Sequence, residues 1–122
     1  MKMLAILCFS LLSLFAGSKY NDAINQALDE KKRLVVMVST ESCPYCSRTK
    51  EFILPDPSVS AVLSDFVFVE LDKNGDEYPK NILYTKFVPT FFIVEPKTEE
   101  LIVERIGYQT KDALIEFLEF GK

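Results

Sequence analysis

The fold is decided by one stretch of sequence, LVVMVS-TES-CPYC at residues 34–46. The continuous apolar and β-branched run at 34–39 indicates a strand that is buried on both faces. Three polar residues follow, and Pro44 then suits the first position of a helix, where its missing N–H costs nothing. The sequence therefore predicts a strand–loop–helix junction with Cys43 at the helix N-terminus and Cys46 one turn below it.

Two thiols at this spacing can close a small disulfide ring, and the first can be held as a thiolate. The thiolate is the nucleophile in thiol–disulfide exchange, whereas an ordinary thiol, with a pKa of about 8.5, is mostly protonated at neutral pH. The unpaired N–H groups and the dipole at a helix N-terminus stabilise the anion. We therefore expect Cys43 to be the nucleophile and Cys46 to be the buried resolving thiol. A structural staple would gain little here, because the entropic stabilisation by a disulfide grows with the loop that it closes.

The first 18 of the 122 residues have the pattern of a signal peptide. Lys2 is followed by an uncharged and mostly apolar run at 3–15 and then by small residues, which predicts cleavage after Ser18. An uncleaved membrane anchor facing the periplasm is the competing interpretation, although the run is shorter than the roughly 20 residues that span a bilayer. We expect a periplasmic protein with one compact domain at 19–122.

Charge and residue counts exclude several functions. The formal net charge is −4, and an acidic surface argues against nucleic acid or anionic lipid as a partner. The chain has no histidine, and Cys8 falls in the leader, so one cysteine pair remains. A structural zinc site needs four ligands, and a cysteine protease needs a histidine base. We therefore expect neither a metal nor a cofactor.

Hydrophobic periodicity and turn residues predict the order of the elements. The expected helices are 20–32, 44–54, 58–64, 76–84 and one that begins after Thr110, and the expected strands are 34–39, 66–71, 90–95 and 101–106. Two parallel strands joined by a helix and followed by an antiparallel hairpin give an α/β fold, with a four-stranded mixed sheet covered by helices on both faces.

Three features give the chain a family resemblance: Cys43-Pro44-Tyr45-Cys46 after the first buried strand, Val88-Pro89-Thr90 at the third strand, and Gly107 after the fourth. On these features residues 19–122 resemble the thioredoxin superfamily. The CPYC tetrapeptide is similar to that of glutaredoxins, whereas the signal, the longer first helix and the Glu41-Ser42 lead-in resemble exported thioredoxin-like proteins.

The resemblance implies a thioredoxin fold, with a cis peptide bond before Pro89. It also implies a substrate site around the dithiol, which would include Pro44, Tyr45, Val88, Pro89 and Thr90. In this geometry the backbone of Val88 would pair with the substrate chain as a short extra strand. Tyr45, Phe87 and Tyr108 are candidates for an apolar rim.

Two positions depart from the family pattern. Cytosolic thioredoxins carry a buried acidic residue six positions before the nucleophile, where this chain has Met37, and a tryptophan just before it, where this chain has Ser42. The usual proton acceptor for the resolving thiol is therefore missing. Glu41 is the nearest substitute, and its alternative role is that of a solvated loop carboxylate.

We expect a monomeric thiol–disulfide oxidoreductase whose substrates are cysteine pairs of other exported proteins. A membrane-bound thiol–disulfide donor or acceptor is a candidate partner, and the direction of electron flow stays open. The alternative is a peptide-binding or chaperone-like module of the same fold, with an idle disulfide.

Overall fold

The structure, a computed structural model, describes residues 18–122. Its helices are α1 (Lys19–Glu30), α2 (Pro44–Arg48), α3 (Pro57–Leu63) and α4 (Lys111–Phe120), and its strands are β1 (Arg33–Ser39), β2 (Phe66–Asp72), β3 (Thr90–Glu95) and β4 (Glu100–Ile106). The strand order is β2-β1-β3-β4. β1 is parallel to β2, and β3 is antiparallel to β1 and to β4. The predicted α/β fold, a four-stranded mixed sheet flanked by helices, is confirmed.

The predicted signal peptide falls almost wholly on residues 1–17, which lie outside the described residues. Within residues 18–122, no helix combines the length and the apolar character that crossing a bilayer requires.

The sheet is covered on both faces, which explains the apolar sequence of β1. Leu34, Val36 and Val38 belong to a buried cluster on the α1 side. Val35 and Met37 belong to a second buried cluster, which also contains residues of α4 and the cysteines Cys43 and Cys46. Because successive side chains of a strand point to opposite faces, a strand between two such layers has to be apolar throughout.

The predicted helix at 44–54 is present, but its hydrogen bonding changes after one turn. α2 passes directly into a π-helical turn, Thr49–Ile53. Thr49 is fully buried, and its hydroxyl donates to the carbonyl of Tyr45 at 2.8 Å. Leu54 N–H then bonds to the carbonyl of Thr49, five residues back. Single π turns of this kind interrupt α-helices where a side chain competes for a backbone carbonyl.

The predicted helix at 76–84 is wrong, because the chain after β2 forms a series of turns. The carboxylate of Asp72 accepts the N–H of Asn74, and the carboxylate of Asp76 accepts the N–H of Asp72. These side-chain bonds hold the N–H groups of Asp72 and Asn74 in a tight turn immediately before the segment, and no continuous helix starts from that turn. Only one turn follows, where the carbonyl of Pro79 accepts the N–H of Leu83.

Candidate active site

Cys43 and Cys46 form a disulfide at the start of α2. Cys43 is the N-cap residue, with extended backbone angles, and its Sγ accepts the backbone N–H of Cys46 at 3.1 Å. Pro44 takes the first helical position. A backbone N–H at this position would have no acceptor within the helix, so the N–H that proline lacks costs nothing. Cys43 is 8% exposed and Cys46 is 2% exposed, so Cys43 is the more exposed of the two residues. The end of β1 and the first turn of α2 thus place Cys43 nearer the surface than Cys46.

Aromatic side chains lie beside the dithiol. Tyr45 is 55% exposed and packs its ring on that of Tyr108, with the ring centroids 5.6 Å apart. The guanidinium of Arg48 lies 5.7 Å from the centroid of the Tyr45 ring, which favours a cation–π contact. Phe87 is 64% exposed in the loop before β3. The structure therefore brings Tyr45 and Tyr108 together and leaves Phe87 as a separate exposed apolar side chain.

Hydrogen bonds from Gly107 and Thr90 fix the loop that leads into β3. The Val88–Pro89 peptide bond is cis, and the carbonyl of Pro89 accepts the N–H of Gly107 at 2.8 Å. Thr90 is fully buried, and its hydroxyl donates to the carbonyl of Phe87 at 2.6 Å. The side chain of Thr90 therefore supports the loop and has no surface of its own to offer a substrate.

In this loop, Val88 has backbone groups without a hydrogen-bond partner among the described residues. Its side chain packs against both buried clusters, one of which contains the two cysteines. Its backbone N–H and carbonyl make no hydrogen bond to any of residues 18–122. These groups are available to an extended chain that lies alongside the loop.

A small polar pocket with a volume of about 230 Å³ is lined in part by Cys46. The side chains that matter most to its chemistry are Ser39, Glu41, Cys46, Ser47, Lys50 and Glu70. Glu41, the acceptor expected from the sequence, lines this pocket and is exposed. The sequence pattern did not point to Glu70, although a glutamate within the apolar strand FVFVEL at 66–71 is unusual.

Within the part of the chain that the structure describes, no three histidine, cysteine or acidic side chains are grouped so that they could hold a metal ion.

The fold and this disulfide define a thioredoxin-type redox domain, and sequence comparison agrees. Residues 20–122 match the sequence model of the thioredoxin-like domain family, and the chain belongs to that family. Comparison with curated protein sequences finds no significant match.

Several solved structures are similar to this chain. A thioredoxin from Thermus thermophilus is 25% identical, with a TM-score of 0.69 over 82% of this chain and 81% of that one. The oxidised C-terminal domain of DsbD from Neisseria meningitidis is 20% identical, with a TM-score of 0.69 over 84% and 93% of the two chains. The periplasmic thioredoxin SoxS from Paracoccus pantotrophus is 18% identical, with a TM-score of 0.58 over 75% and 100%. Family, fold and dithiol together confirm the predicted class, a thiol–disulfide oxidoreductase of the thioredoxin type.

Proposed function

We propose that this protein exchanges disulfides with cysteine pairs of exported proteins, with Cys43 as the nucleophile and Cys46 as the resolving thiol. One observation carries the proposal: Sγ of Cys43 caps α2 and accepts the N–H of Cys46, and Cys43 is the more exposed of the two residues. A hydrogen bond from a backbone N–H is worth more to a thiolate than to a neutral sulfur, so this position favours the ionised nucleophile.

In the reducing direction the reaction has two displacements. The thiolate of Cys43 attacks a substrate disulfide, which forms a mixed disulfide and releases one substrate sulfur as a thiolate. Cys46 then loses its proton and attacks Sγ of Cys43. The Cys43–Cys46 disulfide forms, and the second substrate sulfur leaves. Two electrons pass to the substrate, and the oxidising direction is the same sequence in reverse.

The surface around the dithiol suits an extended peptide. The free backbone groups of Val88 can add one short strand of substrate, and main-chain pairing of this kind accepts many sequences. Pro44, Tyr45 and Pro89 border the same site, and Tyr45 and Phe87 offer exposed apolar area. Recognition would then depend on an unfolded or extended segment around a cysteine, and little on its sequence.

The leader predicted at 1–18 supports export, and a periplasmic site of action follows from the proposal. Exported proteins contain the disulfides on which such a dithiol acts. A membrane-bound thiol–disulfide protein is the proposed source or sink of electrons, and we propose that the domain works as a monomer. Its reduction potential, measured against glutathione, gives the direction, since about −120 mV indicates an oxidant and about −270 mV a reductant.

The test is titration of the nucleophile in a Cys46→Ser variant, which leaves Cys43 as the single thiol of residues 19–122. We expect thiolate absorbance at low ultraviolet wavelengths to appear with a midpoint of about 3.5 to 7.5, well below the value of about 8.5 for an ordinary thiol.

The matched control is Cys43→Ser, whose remaining thiol should titrate later and react more slowly with an alkylating agent. A Cys43 that stays protonated until above about pH 8 would contradict the catalytic role. The double variant separates the alternative, because a peptide-binding module would keep its partner without either sulfur, whereas the oxidoreductase would lose all exchange.

A further inference from the structure

The second displacement requires a base, because Cys46 is 2% exposed and has to lose a proton inside the protein. Met37, at the position where the family resemblance expects a buried acid, cannot accept one. In the parallel pairing of β1 and β2, the residue opposite Met37 is Glu70. Paired residues of neighbouring strands project from the same face of a sheet, and Met37 shares its buried cluster with Cys46. Glu70 is therefore on the face that α2 covers.

We propose that Glu70 is the proton acceptor for Cys46, so that β2 supplies the carboxylate that β1 lacks. The inference rests on the exchange function proposed above and assigns a further residue to it.

Glu70 is held in place by two donors. The hydroxyl of Ser39 donates to its Oε2 at 2.7 Å, and the ammonium of Lys50 lies 3.2 Å from the same oxygen. Its other oxygen, Oε1, makes no hydrogen bond within residues 18–122. One oxygen is thus fixed, and the other can receive a proton.

The pocket connects Glu70 with Cys46. Both residues line the same space of about 230 Å³, which is roomy enough for water to carry a proton between them. Lys50 follows Cys46 by four residues along the same helical segment, so the two side chains lie on the same side of that segment. The ammonium that orients Glu70 is therefore close to the Cys46 thiol.

Other charged side chains line the pocket, and they differ from Glu70 in how they are held. They are Lys19, Glu41, Asp72 and Asp76, in addition to Lys50. The carboxylate of Asp76 is engaged by the N–H of Asp72 and by Lys19, and that of Asp72 by the N–H of Asn74. Glu41 is exposed, and its carboxylate receives no hydrogen bond within the described chain. Glu70 alone in this pocket combines a fixed carboxylate, partial burial (30% exposed) and a place on the sheet face below Cys46.

The step balances without any further reactant. The carboxylate of Glu70 takes the proton of Cys46, and the resulting thiolate attacks Sγ of Cys43. The bond between Cys43 and the substrate sulfur breaks, the Cys43–Cys46 bond forms, and the departing substrate thiolate takes up a proton from solvent or from Glu70. In the oxidising direction, Glu70 returns the proton to Cys46 as Cys46 leaves the disulfide.

The experiment follows the two displacements separately. Reduced protein is mixed with oxidised glutathione, the reaction is stopped with acid, and mass spectrometry measures the mixed disulfide and the internal disulfide over time. In Glu70→Gln we expect the second displacement to slow by about tenfold to a hundredfold near pH 6.5, so that the mixed disulfide accumulates, since a positioned base contributes about 10² to 10⁴. The first displacement should change less than about twofold, because Cys43 needs no base.

The pH profile distinguishes a proton acceptor from a structural residue. Near pH 10 we expect the defect of Glu70→Gln to shrink to about twofold, because hydroxide from solvent can then remove the proton in place of the carboxylate. Glu70→Asp should recover most of the rate, since it keeps a carboxylate. The matched control is Glu104→Gln, an exposed glutamate of β4 that does not line this pocket, for which we expect a normal second displacement, and Glu41→Gln tests the other candidate acceptor.

The proposal is overturned if Glu70→Gln resolves the mixed disulfide at the wild-type rate near pH 6.5, if its defect is the same at every pH, or if Glu41→Gln carries the defect instead. A wild-type protein that forms no mixed disulfide at all would overturn the exchange function itself, which is a separate result.

Discussion

Asp56 links two helices through one carboxylate. It is the N-cap of α3, where it accepts the N–H of Ser58 at 3.0 Å, and it lies 2.8 Å from the ammonium of Lys111 in α4. The hydrogen bond from Lys111, followed by the bonds from Ser58, holds the pKa of Asp56 well below its usual value, and the same contact raises the pKa of Lys111. The ionised form of Asp56 is therefore the form that stabilises the fold.

We predict that Asp56→Asn lowers the melting temperature at pH 7 and that the difference from wild type fades in acid. A carboxyl whose pKa is lower in the folded state contributes stability that is complete above its unfolded pKa of about 3.9 and is lost as the pH falls through the folded value. Asparagine is also a good N-cap, so the loss reports the charge. Thermal unfolding followed by circular dichroism at pH 7 and near pH 2 checks this.

The matched control is Asp65→Asn, because Asp65 forms an exposed ion pair with Lys122 and caps no helix. Exposed ion pairs of this kind contribute little, so its melting temperature should stay close to wild type at both pH values. An Asp56→Asn protein as stable as wild type at pH 7 would contradict the role of the charge.

At the residue scale, the sequence pattern predicts the dithiol but does not point to Glu70. Cys43, Pro44 and Cys46 are neighbours in the chain, so their spacing alone predicts their geometry. Glu70 follows Cys46 by 24 residues and reaches it only through the register of β1 on β2, which pairs it with Met37. Register depends on the packing of the whole sheet, and a single sequence does not reveal it.

At the scale of the elements, the turn after β4 contains a residue, Gly107, whose backbone conformation is unfavourable for most other residues. Gly107 has a φ of 90°, and its N–H donates to the carbonyl of Pro89. A Cβ added there would meet no atom within 4 Å, so any cost of substitution comes from the backbone and not from a clash.

We predict that Gly107→Ala destabilises the protein by about 1 to 2 kcal/mol, because residues with a Cβ are strained at positive φ. Urea unfolding should show a lower midpoint with an unchanged slope. Gly107→Asn is the matched variant, and it should lose less, since asparagine tolerates positive φ better. Equal losses for both, or none, would contradict backbone strain as the cause.

The strands were predicted to within about one residue of their ends, and the helices less well. Apolar runs in the sequence mark β1 to β4, because strands of a sheet that is covered on both faces have to be apolar. The segment 76–84 is expected to be helical, but the carboxylates of Asp76 and Asp72 hold the N–H groups of Asp72 and Asn74 in a tight turn at its start. The π turn after α2 depends on Thr49 being buried and bonded to Tyr45. Both outcomes depend on local hydrogen bonds between side chains and the backbone, which hydrophobic periodicity does not contain.

At the scale of the whole molecule, the predicted leader meets the folded domain at Ser18. The side chain of Ser18 accepts the N–H of Asn21 at 3.2 Å and caps α1. α1 is part of the core, since Tyr20 is buried and its hydroxyl donates to Glu99 at 2.9 Å in the β3–β4 connection. Burial and this hydrogen bond raise the pKa of Tyr20. Cleavage after Ser18, as the sequence predicts, would remove the cap of a helix on which the fold depends.

We predict that a chain that begins at Ser18 is more stable than one that begins at Lys19 by about 1 kcal/mol, the usual value of a serine N-cap. Loss of Ser18 frees the N–H of Asn21 and places a positive α-ammonium on the first helical residue, where the helix dipole disfavours it. Urea unfolding of both chains measures the difference, and Ser18→Ala in the longer chain isolates the hydroxyl. Equal stability would show that α1 needs no cap. If the longer chain is the more stable one and the predicted leader is removed, the mass of the product shows whether Ser18 is retained, because only a chain with Ser18 keeps the cap of α1.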